Sequence, residues 1–182
     1  MKDKESAGEI WHELLKASKH RLELWQKFCV KFVLLTSDWK KPIEDDSIVE
    51  LMRKSLVDSE YRYEAVQLLE SFGTRYQIAL IDDLLEIAVY GETKEGNSIA
   101  RKIIISLPKE WLESNFRTAI EHWLQREGSN KFAPLLFTLC ADIDPNLAME
   151  FAEEALKSDD EGDRDIGEWM LEDYLPKQQH KT

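Results

Sequence analysis

The chain has 182 residues, 43% of them hydrophobic, which suffices for one domain with a sizeable core, and it carries a formal net charge of −12. That charge is uneven: residues 1–41 hold nine Lys/Arg against six Asp/Glu (net +3), leaving fifteen against thirty (net −15) for residues 42–182. Because nucleic-acid affinity comes from Lys and Arg displacing counterions on phosphates, so acidic a body excludes nucleic acid as an expected partner.

The opening Met-Lys-Asp-Lys-Glu lacks the apolar stretch of a secretory signal, and the most apolar run, Phe28 to Leu35, is eight residues long and contains Lys31. The expectation is a soluble, cytoplasmic chain without a membrane span. Ser6 and Glu9 have the spacing of a capping box, and Trp11, Leu14, Leu15, Ser18, Leu22, Trp25, Cys29, Phe32 and Val33 recur near a period of 3.6, predicting one long helix or two nearly collinear ones over 7–35. A loop over Thr36 to Pro42 comes next, and Asp45 or Asp46 can cap a short helix through Leu56. Cys29 and Cys140, in apolar helical surroundings, read as reduced and buried small hydrophobes.

From Asp58 the pattern predicts shorter helices at 59–72, 76–89, 97–106, 109–126, 131–142, 145–157 and 162–174. Gly73 and Gly91 fit left-handed C-terminal caps, Pro108 and Pro145 fit first helical turns, and Asn97 can cap the helix that begins beside it. Small residues recur at Ala65, Ala100, Ala133 and Gly167, each succeeded three and four positions later by large apolar ones: Leu68/Leu69, Ile103/Ile104, Leu136/Phe137 and Met170/Leu171. Three positions before them stand Arg62, Asn97, Asn130 and Arg164. The intervening helices align too: Ile81, Leu84, Leu85 and Ala88 match Phe116, Ala119, Ile120 and Trp123, and these match Ala148, Phe151, Ala152 and Ala155. Stacked helical hairpins bury a continuous core in this way.

The pattern Asp58-x-x-x-Arg62-x-x-Ala65-x-x-Leu68-Leu69, echoed by Asp160-x-x-x-Arg164, resembles the first helix of a HEAT repeat, particularly the short repeats related to phycobilin lyases. Asn97 and Asn130 depart from that pattern where arginine is preferred, and Pro134 has to sit near the start of its helix. The resemblance implies an all-α fold, a right-handed α-α superhelix over residues 58–175. A long N-terminal capping helix is expected within 1–57 and a disordered tail over 176–182. It implies a family of scaffolds, inhibitors and adaptors with few enzymes, hence binding more than chemistry.

Catalytic and metal motifs are sparse. Glu9 and His12 have the Glu-x-x-His spacing of di-iron bundles, but no second such motif occurs. The acidic run Asp159 to Asp165 fails as a calcium loop, since placing Gly162 at position six puts Lys157 where the first carboxylate belongs; these acids fit better as caps of the last helix. No nucleophile-elbow or phosphate-loop glycine motif is present, and no cofactor is expected. Some alkyl-base DNA glycosylases resemble this chain in fold class, but the basic groove they need is missing; Trp123 and Trp169 fall on inferred core faces.

Two functional readings are open. The favoured one is a non-catalytic module binding a basic protein partner, as an adaptor, an assembly factor or an immunity protein neutralising a toxin. The alternative is a helical-repeat enzyme, lyase-like or glycosylase-like, with an unrecognised active site. Register places Glu86, Glu121 and Glu153 in line, Asp83 in line with Thr118 and Glu150, and Asp82 and Glu154 beside them. These acids would form a stripe along the groove.

Overall fold

The computed structural model describes residues 46–59, 61–126, 128 and 130–179; the predicted helix over 7–35, the Glu9/His12 pair and Cys29 lie outside them. Every regular element among the described residues is helical. No helix among them is long and apolar enough to cross a membrane. They fall into two compact units divided between Leu107 and Pro108, so the boundary read at 57/58 lies inside the first unit.

The first unit contains α1 (Asp46–Val57), α2 (Arg62–Leu69), α3 (Thr74–Ala79), α4 (Ile81–Tyr90) and α5 (Lys94–Ile105). α4 is the centre of the unit. Its Leu84, Leu85 and Ala88 are fully buried and Ile87 and Val89 nearly so, and a helix apolar on most sides needs neighbours on most sides. It has them in α1, α3 and, most extensively, α5. α5 buries Gly96, Ala100, Ile103 and Ile104, an i, i+4, i+7, i+8 stripe, and packs also on α2. Burial of side chains such as Ile103 and Ile104 contributes ~1.5–3 kcal/mol each.

Two departures from the predicted helices have a local cause. α5 begins three residues before Asn97, because Thr93 is extended (φ −119°, ψ 139°) and its hydroxyl accepts from the Gly96 amide at 3.0 Å. Asn97 therefore lies within the first turn. The predicted single helix over 76–89 is broken at Leu80, whose backbone (φ −112°, ψ 21°) leaves the helical region between α3 and α4.

Gly73 and Gly91 are not left-handed caps either: both are extended, with φ of −61° and −56°, and positive φ among the described residues occurs at Gly128. What Gly91 supplies is space. A Cβ there would lie 2.2 Å from Asn97 Oδ1 and 2.5 Å from the Ile87 carbonyl oxygen.

The second unit contains α6 (Lys109–Leu124), α7 (Pro134–Ile143), α8 (Pro145–Ala155), α9 (Glu161–Glu168), a π-helical segment (Trp169–Tyr174) and α10 (Leu175–Gln179). α6 buries Trp111, Phe116, Ile120 and Trp123, and α8 buries Leu147, Ala148, Phe151, Ala152 and Ala155, close to the faces read from the sequence. Phe137 of α7 stacks on Phe151 of α8 with centroids 6.2 Å apart. Pro145 opens α8 as expected, whereas Pro108 is the residue before α6. Pro134 opens α7, which leaves Ala133 at the cap rather than inside the helix, unlike Ala65 and Ala100. Cys140 of α7 is buried and forms no disulfide among the described residues.

The acidic run before α9 does cap it: Asp160 Oδ1 accepts from the Asp163 amide at 3.2 Å, and Ser158 Oγ donates to Asp163 Oδ2 at 2.7 Å. Gly167 is where α9 meets α8, since a Cβ there would lie 2.8 Å from the Ala152 carbonyl oxygen. The tail expected to be disordered from 176 is helical through Gln179. Trp169 is not a core residue: it is 39% exposed. Two positions after Gly167, it points away from the face of the helix that touches α8.

Candidate functional site

The acids singled out from the sequence divide between the two units. Asp82, Asp83 and Glu86 belong to α4 of the first; Glu121, on α6, and Glu150, Glu153 and Glu154, on α8, belong to the second. Asp83 departs from the surface role assigned to it. It is 9% exposed, and Arg53 Nε of α1 donates to its Oδ2 at 3.2 Å, so the carboxylate holds α4 to α1. Asp82 and Glu86 are half-buried. Glu154 is exposed but paired with Lys131 at 2.6 Å.

Glu150 and Glu153, by contrast, meet in an open groove of about 490 Å³ lined by Arg117, Asp144, Asn146, Met149, Glu150 and Glu153. Its construction begins at the helix start. Asp144 ends α7 and caps α8, its Oδ1 accepting from the Asn146 and Leu147 amides at 3.1 and 3.2 Å. That fixes the register of α8: Ala148, Ala152 and Ala155 turn into the core, leaving Asn146, Met149, Glu150 and Glu153 exposed. Met149 is an unusual component, an apolar side chain 44% exposed among carboxylates.

Arg117 of α6 joins the two helices. Its Nη1 and Nη2 donate to Glu150 Oε2 and Oε1 at 2.7 and 3.0 Å, a bidentate pair with the geometry that makes arginine–carboxylate contacts directional. The hydrogen bond to Glu150 raises the Arg117 pKa above its ordinary value, against partial desolvation, with the fields of Glu150, Asp144 and Glu121 adding to it. Reciprocally, the hydrogen bond from Arg117 holds the Glu150 carboxyl below the ordinary carboxylate range. Three acids line the groove and Glu121 acts on its one arginine, so the local charge stays negative after the pair is made.

Sequence reasoning missed Arg117, Asp144, Asn146 and Met149. The signal for Arg117 was present: the core alignment of α6 with α8 uses an offset of 32, and Arg117 and Glu150 lie 33 positions apart. Register set Thr118 against Glu150 and so passed over the adjacent cation.

A second, much smaller cleft of about 40 Å³ in the first unit is lined by Arg62, Tyr63, Glu92, Thr93 and Asn97, among others. Asn97 Oδ1 is buried there with no hydrogen-bond partner. Arg62 donates to the Leu56 and Val57 carbonyl oxygens at 2.8 Å each and pairs with Glu92 at 3.4 Å. The space accommodates a water molecule and not a substrate. Among the described residues no group of three His, Cys, Asp or Glu is placed to hold a metal ion.

No known protein family, characterised protein or solved structure matches this chain.

Proposed function

We propose that this chain is a non-catalytic interaction protein, and that the groove between α6 and α8 receives a basic segment of a protein partner. The observation that carries the reading is the assembly of Asp144, Glu150 and Glu153, with Glu121 nearby, around an open groove that also exposes Met149. Interfaces combine apolar contact with a charged rim, and complementary fields speed encounter and suppress wrong partners. An adaptor, an assembly factor and an immunity protein for a basic toxin would all use such a surface, in the cytoplasm.

The reading includes a HEAT-like right-handed superhelix. What supports it is recurrence of contacts, not of motifs alone. Arg62 Nε donates to a carbonyl six positions back, Leu56 O, at 2.8 Å; Arg164 Nη1 does the same to Ser158 O at 2.8 Å. Asn97, in the equivalent place, packs on Gly91, again six positions back. Ion pairs join helices at similar separations: Arg53–Asp83, Glu70–Lys102 and Arg117–Glu150, 30, 32 and 33 positions apart.

The test compares proteins captured from the native host by the wild type and by a Glu121→Lys, Glu150→Lys, Glu153→Lys variant, with circular dichroism checking that both fold. All three positions are exposed, so folding should survive the change. A basic protein should be captured by the wild type and lost with the variant. Identical capture by both rules out the groove.

A further inference from the structure

The C-terminal helix carries an aromatic pair, an exposed Trp169 beside a half-buried Tyr174, that the groove does not use. In the π-helical segment the backbone bonds five residues back rather than four, which widens the turn. Residues five apart point to different sides of an α-helix but become neighbours in this wider register. Trp169 and Tyr174 are such a pair, with ring centroids 5.3 Å apart and planes at 48°. Met170, the next residue, is fully buried, while Trp169 stays 39% exposed.

The surroundings of that ring are acidic. Asp165, Glu168 and Glu172 are exposed, and none of the three has an ion pair among the described residues. Asp165 is four residues before Trp169, on the same face of the helix. Asp173, by contrast, is neutralised by Lys177 at 2.9 Å. An exposed indole costs solvation, and uncompensated carboxylates beside it repel one another; a cation resolves both. A guanidinium is attracted to the negative face of an indole, and its planar N–H groups can donate to neighbouring carboxylates at the same time. Anionic membranes and nucleic acids are disfavoured by the same carboxylates.

We propose that Trp169 and Tyr174, rimmed by Asp165, Glu168 and Glu172, form a docking patch for arginine side chains of a basic protein segment. The patch uses none of the groove residues, so it stands or falls separately from the function proposed above. Tryptophan at its centre and charge at its rim match the way binding energy is distributed in interfaces.

The experiment uses the full chain with nitrogen-labelled tryptophan, the Trp169 indole resonance being assigned with Trp169→Phe. The probe is a blocked peptide alternating Arg and Gly, with a Glu–Gly peptide as control. The Trp169 indole should shift saturably with the Arg peptide while that of the buried Trp123 stays put. Trp169→Ala should weaken binding at the patch about tenfold. Asp165→Asn, Glu168→Gln and Glu172→Gln together should weaken it and flatten its salt dependence, whereas Glu150→Lys with Glu153→Lys should leave the Trp169 shift intact. Should Trp169→Ala fail to fold, the wild-type titration and the carboxamide variant decide. A Trp169 indole that does not move at saturating peptide, equal shifts with the Glu–Gly peptide, or a carboxamide variant that binds like the wild type overturns the proposal.

Discussion

Gly167→Ala isolates the closest approach between helices in the second unit. In a helix interior, alanine is favoured over glycine by ~1 kcal/mol, so on propensity alone the substitution stabilises. Against that, the new Cβ would sit 2.8 Å from the Ala152 carbonyl oxygen and 3.1 Å from both Ala155 Cβ and the Leu156 amide nitrogen. Two of those three atoms are backbone and cannot rotate away, so α9 has to move off α8, and overpacking of this kind costs ~1–3 kcal/mol. The net expectation is a loss of about 1 kcal/mol, read as a lower urea midpoint by far-UV circular dichroism with an unchanged slope. Gly162→Ala in the same helix is the control. Its Cβ would meet only the Asp160 carboxylate oxygen, at 3.1 Å, and a side-chain shift of a few tenths of an ångström relieves that contact while Asp160 keeps its cap on the Asp163 amide. A Gly167→Ala protein with a higher midpoint than the wild type would refute the tight α8–α9 contact.

Other substitutions test other parts of the account. Arg62→Ala and Arg164→Ala each remove charge-assisted hydrogen bonds to carbonyls six positions back and should each cost ~1–2 kcal/mol in urea melts, with lysine recovering part of the loss. Ala100→Leu places three more carbons on a fully buried face of α5 and should cost ~1–3 kcal/mol; an unchanged midpoint would show that α5 is loosely packed. The Glu150 carboxyl should titrate below the ordinary carboxylate range by carbon NMR and return to it in Arg117→Ala. Because its folded-state pKa is lowered, the stabilisation from this pair is present above the unfolded-state pKa and lost as pH falls through the folded-state value. Glu150 is exposed, so the melting profile should change little over that range.

Burial was the most legible feature of the sequence, because periodicity reports which face is apolar. Leu84, Leu85 and Ala88, then Phe116, Ile120 and Trp123, then Ala148, Phe151, Ala152 and Ala155 are buried as their spacing implied. Helix ends were less legible where two signals competed. Thr93 and Asn97 are both good caps, and only the extended backbone at Thr93 selects it. Gly73 and Gly91 carried the residue type of a left-handed cap, yet at Gly91 the requirement is room for Asn97. Trp169 was read on a core face, although two residues past Gly167 it lies on the other side of the helix, and no periodicity announced the π-helical register.

The acids show the limit of sequence reasoning about sites. Register aligns residues that occupy the same place in successive helices, but it does not say which carboxylates are already neutralised. Asp83 is tied to Arg53, Glu154 to Lys131 and Glu150 to Arg117, and each partner comes from a different helix or loop, 23 to 33 positions away in sequence. What distinguishes Glu150 and Glu153 is the groove beside them, a property of how α6 and α8 pack.

The claim that this groove receives a basic segment is tested most directly at Met149. The chain has four methionines; Met52 and Met170 are fully buried, and Met149 is 44% exposed in the groove itself. With carbon-labelled methionine methyl groups, titration of the captured basic partner should shift the Met149 resonance saturably and leave Met52 and Met170 in place, and the Glu121→Lys, Glu150→Lys, Glu153→Lys variant should abolish the shift. A partner that binds while the Met149 methyl stays unmoved contradicts the account.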